Sequence, residues 1–124
     1  MSRQTQRKGD IGKAKAISTF TSLGYDVAIL VTESAAYDLI VDTGENLVKV
    51  QCKFITSDYH VDLRSVYCGA AGYTVKKPKP GGFDWLYVLT AAGEEYLVKD
   101  SLVGRSSINM HEKFLLRKVA GNGA

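Results

Sequence analysis

At 124 residues, with 45% hydrophobic and 23% charged side chains, the chain suits one domain with a packed core and is too apolar for a disordered segment. Sixteen Lys and Arg against thirteen Asp and Glu leave a net charge of +3, a bias too small to establish a nucleic-acid partner by itself. Two cysteines, Cys52 and Cys68, form neither a disulfide framework nor a zinc-ligand spacing, and read as small, reduced core residues.

The polar, basic N-terminus lacks the apolar stretch of a signal peptide, and no apolar run approaches the roughly 18 residues of a membrane span. The distribution of charge says more than its sum. Residues 1–15 carry Arg3, Arg7, Lys8, Lys13 and Lys15 against Asp10 alone, and a second basic cluster is Lys76, Lys77 and Lys79. Each patch suits phosphates, and each is equally consistent with a solvated basic face.

Residues 5–23 are predicted to form a helix, with Ala14, Ala16, Ile17, Phe20 and Leu23 as its apolar stripe and Gly24 as a left-handed C-terminal cap. Strands are predicted at 25–31, 37–42 and 47–55. The turn residues Thr43-Gly44-Glu45-Asn46 make the last two an antiparallel hairpin. In the third strand Val48, Val50, Cys52 and Phe54 share a core face, and Lys49, Gln51 and Lys53 share the other. Residues 59–63 alternate as a short strand would. Gly69, Gly72, Pro78, Pro80, Gly81 and Gly82 then mark loops. Strands follow at 83–90, 95–98 and 106–110. Asp100 is placed to cap a short helical turn, 111–119 reads as either helix or extended tail, and 121–124 should fray.

One constellation carries chemistry. Asp38 supplies a carboxylate, and the Gln51 side chain and Cys52 backbone carbonyl supply neutral oxygens of the kind magnesium accepts. Lys53 lies two residues after Gln51, on the same side of its strand, where an ammonium can orient a water or meet negative charge developing on a phosphate. Taken alone, Asp…Gln-x-Lys is a weak pattern, common in half-exposed hairpins. No glycine-rich cradle follows a strand, so nucleotide-cofactor binding has no support.

The order of segments adds specificity. Lys8-Gly9-Asp10-Ile11-Gly12, Leu23-Gly24-Tyr25-Asp26-Val27, Tyr37-Asp38-Leu39-Ile40-Val41-Asp42 and Val50-Gln51-Cys52-Lys53 together resemble the PD-(D/E)XK nuclease superfamily. The nearer branch has Gln in place of the second acid and includes intron-encoded homing endonucleases; archaeal Holliday-junction resolvases are more distant. The resemblance spans residues 8–55 and continues more weakly through 83–88, 96–98 and 106–109.

It implies one α/β domain over residues 1–124, with a restriction-endonuclease-like αβββαβ core and a mixed, mainly antiparallel sheet. It also implies cleavage of double-stranded DNA with Mg2+ (Mn2+ substituting), and Asp38, Gln51 and Lys53 as the site, with Asp38, Gln51 and the Cys52 carbonyl on the metal. Cutting two strands with one site per chain implies a homodimer or homotetramer. The expected setting is cytoplasmic, in association with the nucleoid of a bacterial or phage-infected cell.

One position departs from the pattern. The family usually carries a Glu on the first helix where this chain has Lys13. Helical spacing sets Lys13 between Ile17 and Phe20, near the middle of the stripe and turned toward Asp38. Replacing a carboxylate by an ammonium removes a ligand and repels the cation. Four explanations stand open: an inactivating substitution, a natural degenerate copy that still binds DNA, Asp10 in place of the missing acid, or a lysine that reaches past the stripe to solvent. The matching functions are an endonuclease, a DNA-binding protein without catalysis, or a junction resolvase. Arg3, Arg7, Lys8, Arg64, Tyr67, Lys76, Lys77 and Lys79 are the candidate DNA contacts. Tyr59, Tyr67, Tyr73 and Arg64 form either a DNA-facing arm or a peripheral core. Asp84 reads as a strand-start residue bonding nearby backbone, with a buried functional acid as the rival.

Overall fold

The structure, a computed structural model, describes residues 3–32, 36–56, 58–70 and 72–117; the side chains of 3–6, 66–69 and 117 lie outside that description. Helix α1 (Arg3–Ser22) leads into β1 (Asp26–Ile29), β2 (Leu39–Asp42) and β3 (Leu47–Ile55). Short strands β4 (His60–Asp62), β5 (Ser65–Gly69) and β6 (Gly72–Lys76) follow. The chain then returns to the main sheet through β7 (Trp85–Thr90) and β8 (Glu95–Val98), and ends with β9 (Ser107–Asn109), a 3-10 turn (Glu112–Phe114) and β10 (Leu115–Arg117). The main sheet runs β1-β2-β3-β7-β8-β10. Its β3–β7 pair is parallel and its other pairs are antiparallel. The mixed, mainly antiparallel sheet is the one expected.

Helix α1 ends in the motif that Gly24 announces. Gly24 has φ 91°, the Tyr25 N–H reaches the Phe20 carbonyl at 3.1 Å, and the Gly24 N–H reaches the Thr21 carbonyl at 3.0 Å. These bonds satisfy the last carbonyls, and the Phe20 and Tyr25 rings close over them at 6.4 Å.

The apolar stripe differs from the one expected. Gly12, Ala16, Thr19 and Phe20 are buried, whereas Ala14 and Leu23 are exposed and Lys13 lies at the margin, half-buried. Close packing is the reason: a Cβ on Gly12 would meet the Lys53 carbonyl oxygen and the Phe54 Cβ at 3.6 Å, so small residues face β3.

Both faces of the sheet are covered. Ala16, Phe20, Leu39, Val41, Val48, Val50, Tyr87 and Leu89 form the core under α1. On the opposite face Val61, Leu63, Leu86, Val88, Val98, Leu102, Ile108 and Met110 pack beneath the β4–β9 pair. Strand β7 contributes to both, which explains its nearly continuous apolar run.

Buried Glu95 links the layers: its Oε1 accepts from the Thr19 hydroxyl of α1 and from the Tyr87 hydroxyl at 2.6 Å. Burial, and then the Glu95 hydrogen bond, push the Tyr87 phenol far above its usual range.

Three expectations need correction. First, the αβββαβ order places a helix between the third and fourth main strands; the described residues there carry β4 and the β5–β6 hairpin instead. Residues 58–84 have no helical stripe, and Pro78, Pro80, Gly81 and Gly82 oppose one. Second, Gly69 and Gly72 face one another at the tip of that hairpin rather than marking only loop. Third, Asp100 caps no helix; residues 102–105 make a single turn, with the Arg105 N–H on the Leu102 carbonyl at 3.1 Å. The expected fraying of 121–124 lies outside the described residues. Among the described residues, no helix is long and apolar enough to cross a membrane.

Candidate active site

Strand β3 alternates as its sequence requires, so Cys52 and Phe54 pack toward α1 while Gln51 and Lys53 project from the opposite face. Strand β2 pairs with β3 from Leu39 opposite Val50 to Asp42 opposite Leu47, and the Asp38 N–H makes one more ladder bond to the Val50 carbonyl at 2.8 Å. Beyond that point the strands part. The Asp38 carboxylate takes over the ladder, and its Oδ2 accepts the Cys52 N–H at 2.8 Å. Asp38 thus stands at the end of β2 against the exposed edge of β3, held there by backbone.

The same Oδ2 accepts the Gln51 Nε2 at 3.1 Å, and that Nε2 lies 3.5 Å from the Cys52 carbonyl oxygen. Both described bonds to Asp38 fall on Oδ2, which leaves Oδ1 for a cation. A half-turn of the Gln51 amide would exchange its nitrogen for its oxygen in the same place. Neighbouring oxygens around magnesium, each about 2.1 Å from the ion, stand roughly 3 Å apart. The 3.5 Å separation of the Gln51 amide from the Cys52 carbonyl is therefore of about the right size for two ligands of one divalent ion. Among the described residues no three His, Cys, Asp or Glu side chains converge, so such an ion would rest on one carboxylate and neutral oxygens.

Lys13 comes from the other side. Burial raises the Cys52 thiol well above its ordinary pKa, the Asp38 charge raises it further, and the Lys13 ammonium opposes both. Asp38 and Lys13 thus each lie within electrostatic reach of the Cys52 thiol. Asp10, the other candidate on α1, is exposed.

Gln51 and Lys53 open into a cleft of about 80 Å³ that is also lined by Leu63, Ser65, Lys76, Lys77, Pro78, Lys79 and Phe83. The basic loop and the Gln-x-Lys strand, separated by more than twenty residues in sequence, share one cavity. The loop's backbone is pinned: the Gly104 N–H donates to the Pro78 carbonyl at 2.8 Å, Lys49 Nζ to the Gly81 carbonyl at 2.6 Å, and the Gly82 N–H to the Lys79 carbonyl at 3.0 Å. Lys77 and Lys79 remain exposed on that fixed frame. Asp84 behaves as a strand-start residue, its carboxylate accepting the Lys49 N–H at 2.9 Å. Ser65, Leu63 and Phe83 in the cleft wall carried no sequence signal.

Arg7 and Lys8 are exposed on the first turns of α1. Arg64 is engaged elsewhere: its guanidinium grips Asp62 through two 3.0 Å bonds, and that hydrogen bonding lowers the Asp62 carboxyl to about 2. The pair presents little free positive charge. Tyr59 is spent on Glu94, to which its hydroxyl donates at 2.8 Å, and its ring meets Tyr96. Tyr73 is 79% exposed. The side chains of Arg3, Tyr67 and Cys68 lie outside the described residues.

A family model for PD-(D/E)XK endonucleases matches residues 3–113. The chain belongs to the PD-(D/E)XK endonuclease family. Members of this family act on DNA and generally use divalent metals. The solved structure of the bacterial homing endonuclease I-Ssp6803I aligns with a TM-score of 0.72 at 24% identity, over 87% of this chain and 78% of that one. At that identity the likeness is one of fold. No curated protein matches the chain.

Proposed function

We propose that this PD-(D/E)XK chain hydrolyses phosphodiester bonds of double-stranded DNA, site-specifically and with magnesium or manganese, at Asp38, Gln51 and Lys53. The observation that carries this reading is the shared cleft, in which Gln51 and Lys53 meet Lys76, Lys77 and Lys79 beside the anchored Asp38.

Asp38 would hold the metal through its second oxygen, with the Gln51 side-chain oxygen and the Cys52 carbonyl as neutral ligands. The metal, when bound, neutralises phosphate charge and acidifies water. Lys53 donates a hydrogen bond to the attacking water and faces the negative charge that builds on the phosphate. Lys77 and Lys79 hold flanking phosphates on a backbone that does not have to reorganise. Arg7 and Lys8 extend the positive surface, and Arg64, neutralised by Asp62, is left out of it. The likeness in fold to a homing endonuclease supports site specificity. One site per chain supports a homodimer or homotetramer on duplex DNA.

Lys13 favours a second reading, a DNA-binding protein that has lost cleavage, because a cation stands on α1 where the family usually carries a carboxylate, within electrostatic reach of Cys52. A cleavage assay with magnesium on a library of duplex targets, run on this chain and on Lys13→Glu, separates the two. The endonuclease reading expects Lys13→Glu to cut, at least tenfold faster than the parent. Binding without cutting by both proteins supports the second reading, and failure to bind duplex DNA sinks both.

A further inference from the structure

We propose that the β5–β6 hairpin is the sequence-reading element, its polar face entering the DNA major groove with Thr74 against base edges. This rests on the duplex-DNA reading of the cleft.

Both strands of the hairpin are rooted in the cleft. Ser65 and Lys76, the register partners at its base, line the same cavity as Gln51 and Lys53. From there the hairpin leaves the main sheet and forms a two-stranded sheet of its own, with every residue of β6 exposed. An isolated two-stranded ribbon is marginal in water, so an exposed one on a rigid base is suited to being completed by a partner.

The register divides the ribbon into two faces. Directly opposed residues share a face, so the Thr74 and Tyr67 positions continue the cleft-facing line of Ser65 and Lys76. Tyr73 and Val75, 79% and 56% exposed, occupy the other face. The cleft-side line is cationic only at its root. Lysines at the root suit phosphates, which position a protein without reading sequence, and a neutral hydroxyl farther out suits base edges, which carry the sequence.

Size selects the groove. Five paired positions reach roughly 17 Å at about 3.4 Å per residue. A two-stranded ribbon fits the major groove, about 12 Å wide and 8.5 Å deep, but not the minor groove, about 6 Å wide. A phosphate held at Lys53 would place the ribbon root at the groove edge.

Selection of bound duplexes from a randomised pool, in the presence of a chelator so that cleavage plays no part, tests the proposal. Thr74→Ala should flatten the preference at one or two base positions by about tenfold and leave low-salt affinity within about threefold. Tyr73→Ala, on the opposite face, should leave the selected sequence unchanged. A parent and Thr74→Ala that select identical sequences, a parent that selects none, or one that binds no duplex overturns the proposal. Selective binding that depends on Thr74, without cleavage by the parent or by Lys13→Glu, would leave the hairpin reading intact and remove the endonuclease one. Cleavage whose preference ignores Thr74 would do the reverse.

Discussion

Asp38 has a structural bond at the strand edge and a proposed place on the metal, and two substitutions pull these apart. Its Oδ2 caps the Cys52 N–H at 2.8 Å where β2 leaves β3. In Asp38→Asn the side-chain amide oxygen can still accept that N–H, so a charge-assisted bond becomes a neutral one, at about 1 kcal/mol. In Asp38→Ala a half-buried backbone donor loses its partner, at about 1–3 kcal/mol. For a domain of this length each kcal/mol moves the melting temperature by roughly 3–5 °C. Asparagine should therefore lower it by a few degrees and alanine by up to roughly 15 °C. Both substitutions remove the carboxylate, and both should abolish the rise in melting temperature that magnesium produces in the Lys13→Glu protein. The assay is a thermal melt with and without millimolar magnesium, in the parent and Lys13→Glu backgrounds. A magnesium-dependent rise that survives Asp38→Asn would remove Asp38 from the metal site. An alanine variant as stable as the asparagine one would mean that the side-chain oxygen at position 38 does not hold the strand edge.

Three other outcomes follow from the geometry. Gly12→Ala places its Cβ at ordinary contact distance, 3.6 Å, from β3 and gains helix propensity, so chemical denaturation should show about 0.5–1 kcal/mol of added stability; a loss of similar size would refute the packing. Tyr87→Phe should reduce stability by about 1–2 kcal/mol at neutral pH by removing a bond to buried Glu95. Because the Tyr87 phenol is raised in the folded state, its contribution is complete below the unfolded value near 10 and is lost as pH climbs toward the folded one. Alkaline melts of the Phe variant should therefore show a shallower decline than those of the parent. Replacing both Lys77 and Lys79 by Ala should lower the slope of log affinity against log salt by about 2, and an unchanged slope would place the phosphates elsewhere.

Much of the fold is legible locally. Strand β3 alternates so regularly that both its limits and its division into core and site faces match the structure, and Gly24 and the Thr43–Asn46 turn announce their bends. What sequence conceals is long-range or depends on close packing. Thr19 and Glu95 are 76 residues apart, and nothing near either suggests a buried hydrogen bond. The helix stripe is misplaced in sequence because Gly12 carries no hydrophobic signal, though closeness to β3 makes it central. Strand β6 lacks buried alternation because it is exposed on both faces, so Gly72 resembles a loop glycine. The expected residues at the site are brought together, but the capture of the Cys52 N–H by Asp38 depends on β2 starting at Leu39, one residue after Asp38, and strand ends are the least defined features of a sequence. The joining of Lys76–Lys79 to Lys53 needs the parallel return of β7 beside β3.

In the proposed mechanism Lys53 performs chemistry in a cleft whose other cations only bind. The most direct measurement is the cleavage rate of Lys13→Glu with and without Lys53→Met, with DNA affinity measured on the same proteins. The methionine substitution should slow cleavage at least a hundredfold, while affinity stays within about threefold. Cleavage at an undiminished rate, or a loss of affinity that accounts for all of the loss of rate, would contradict it.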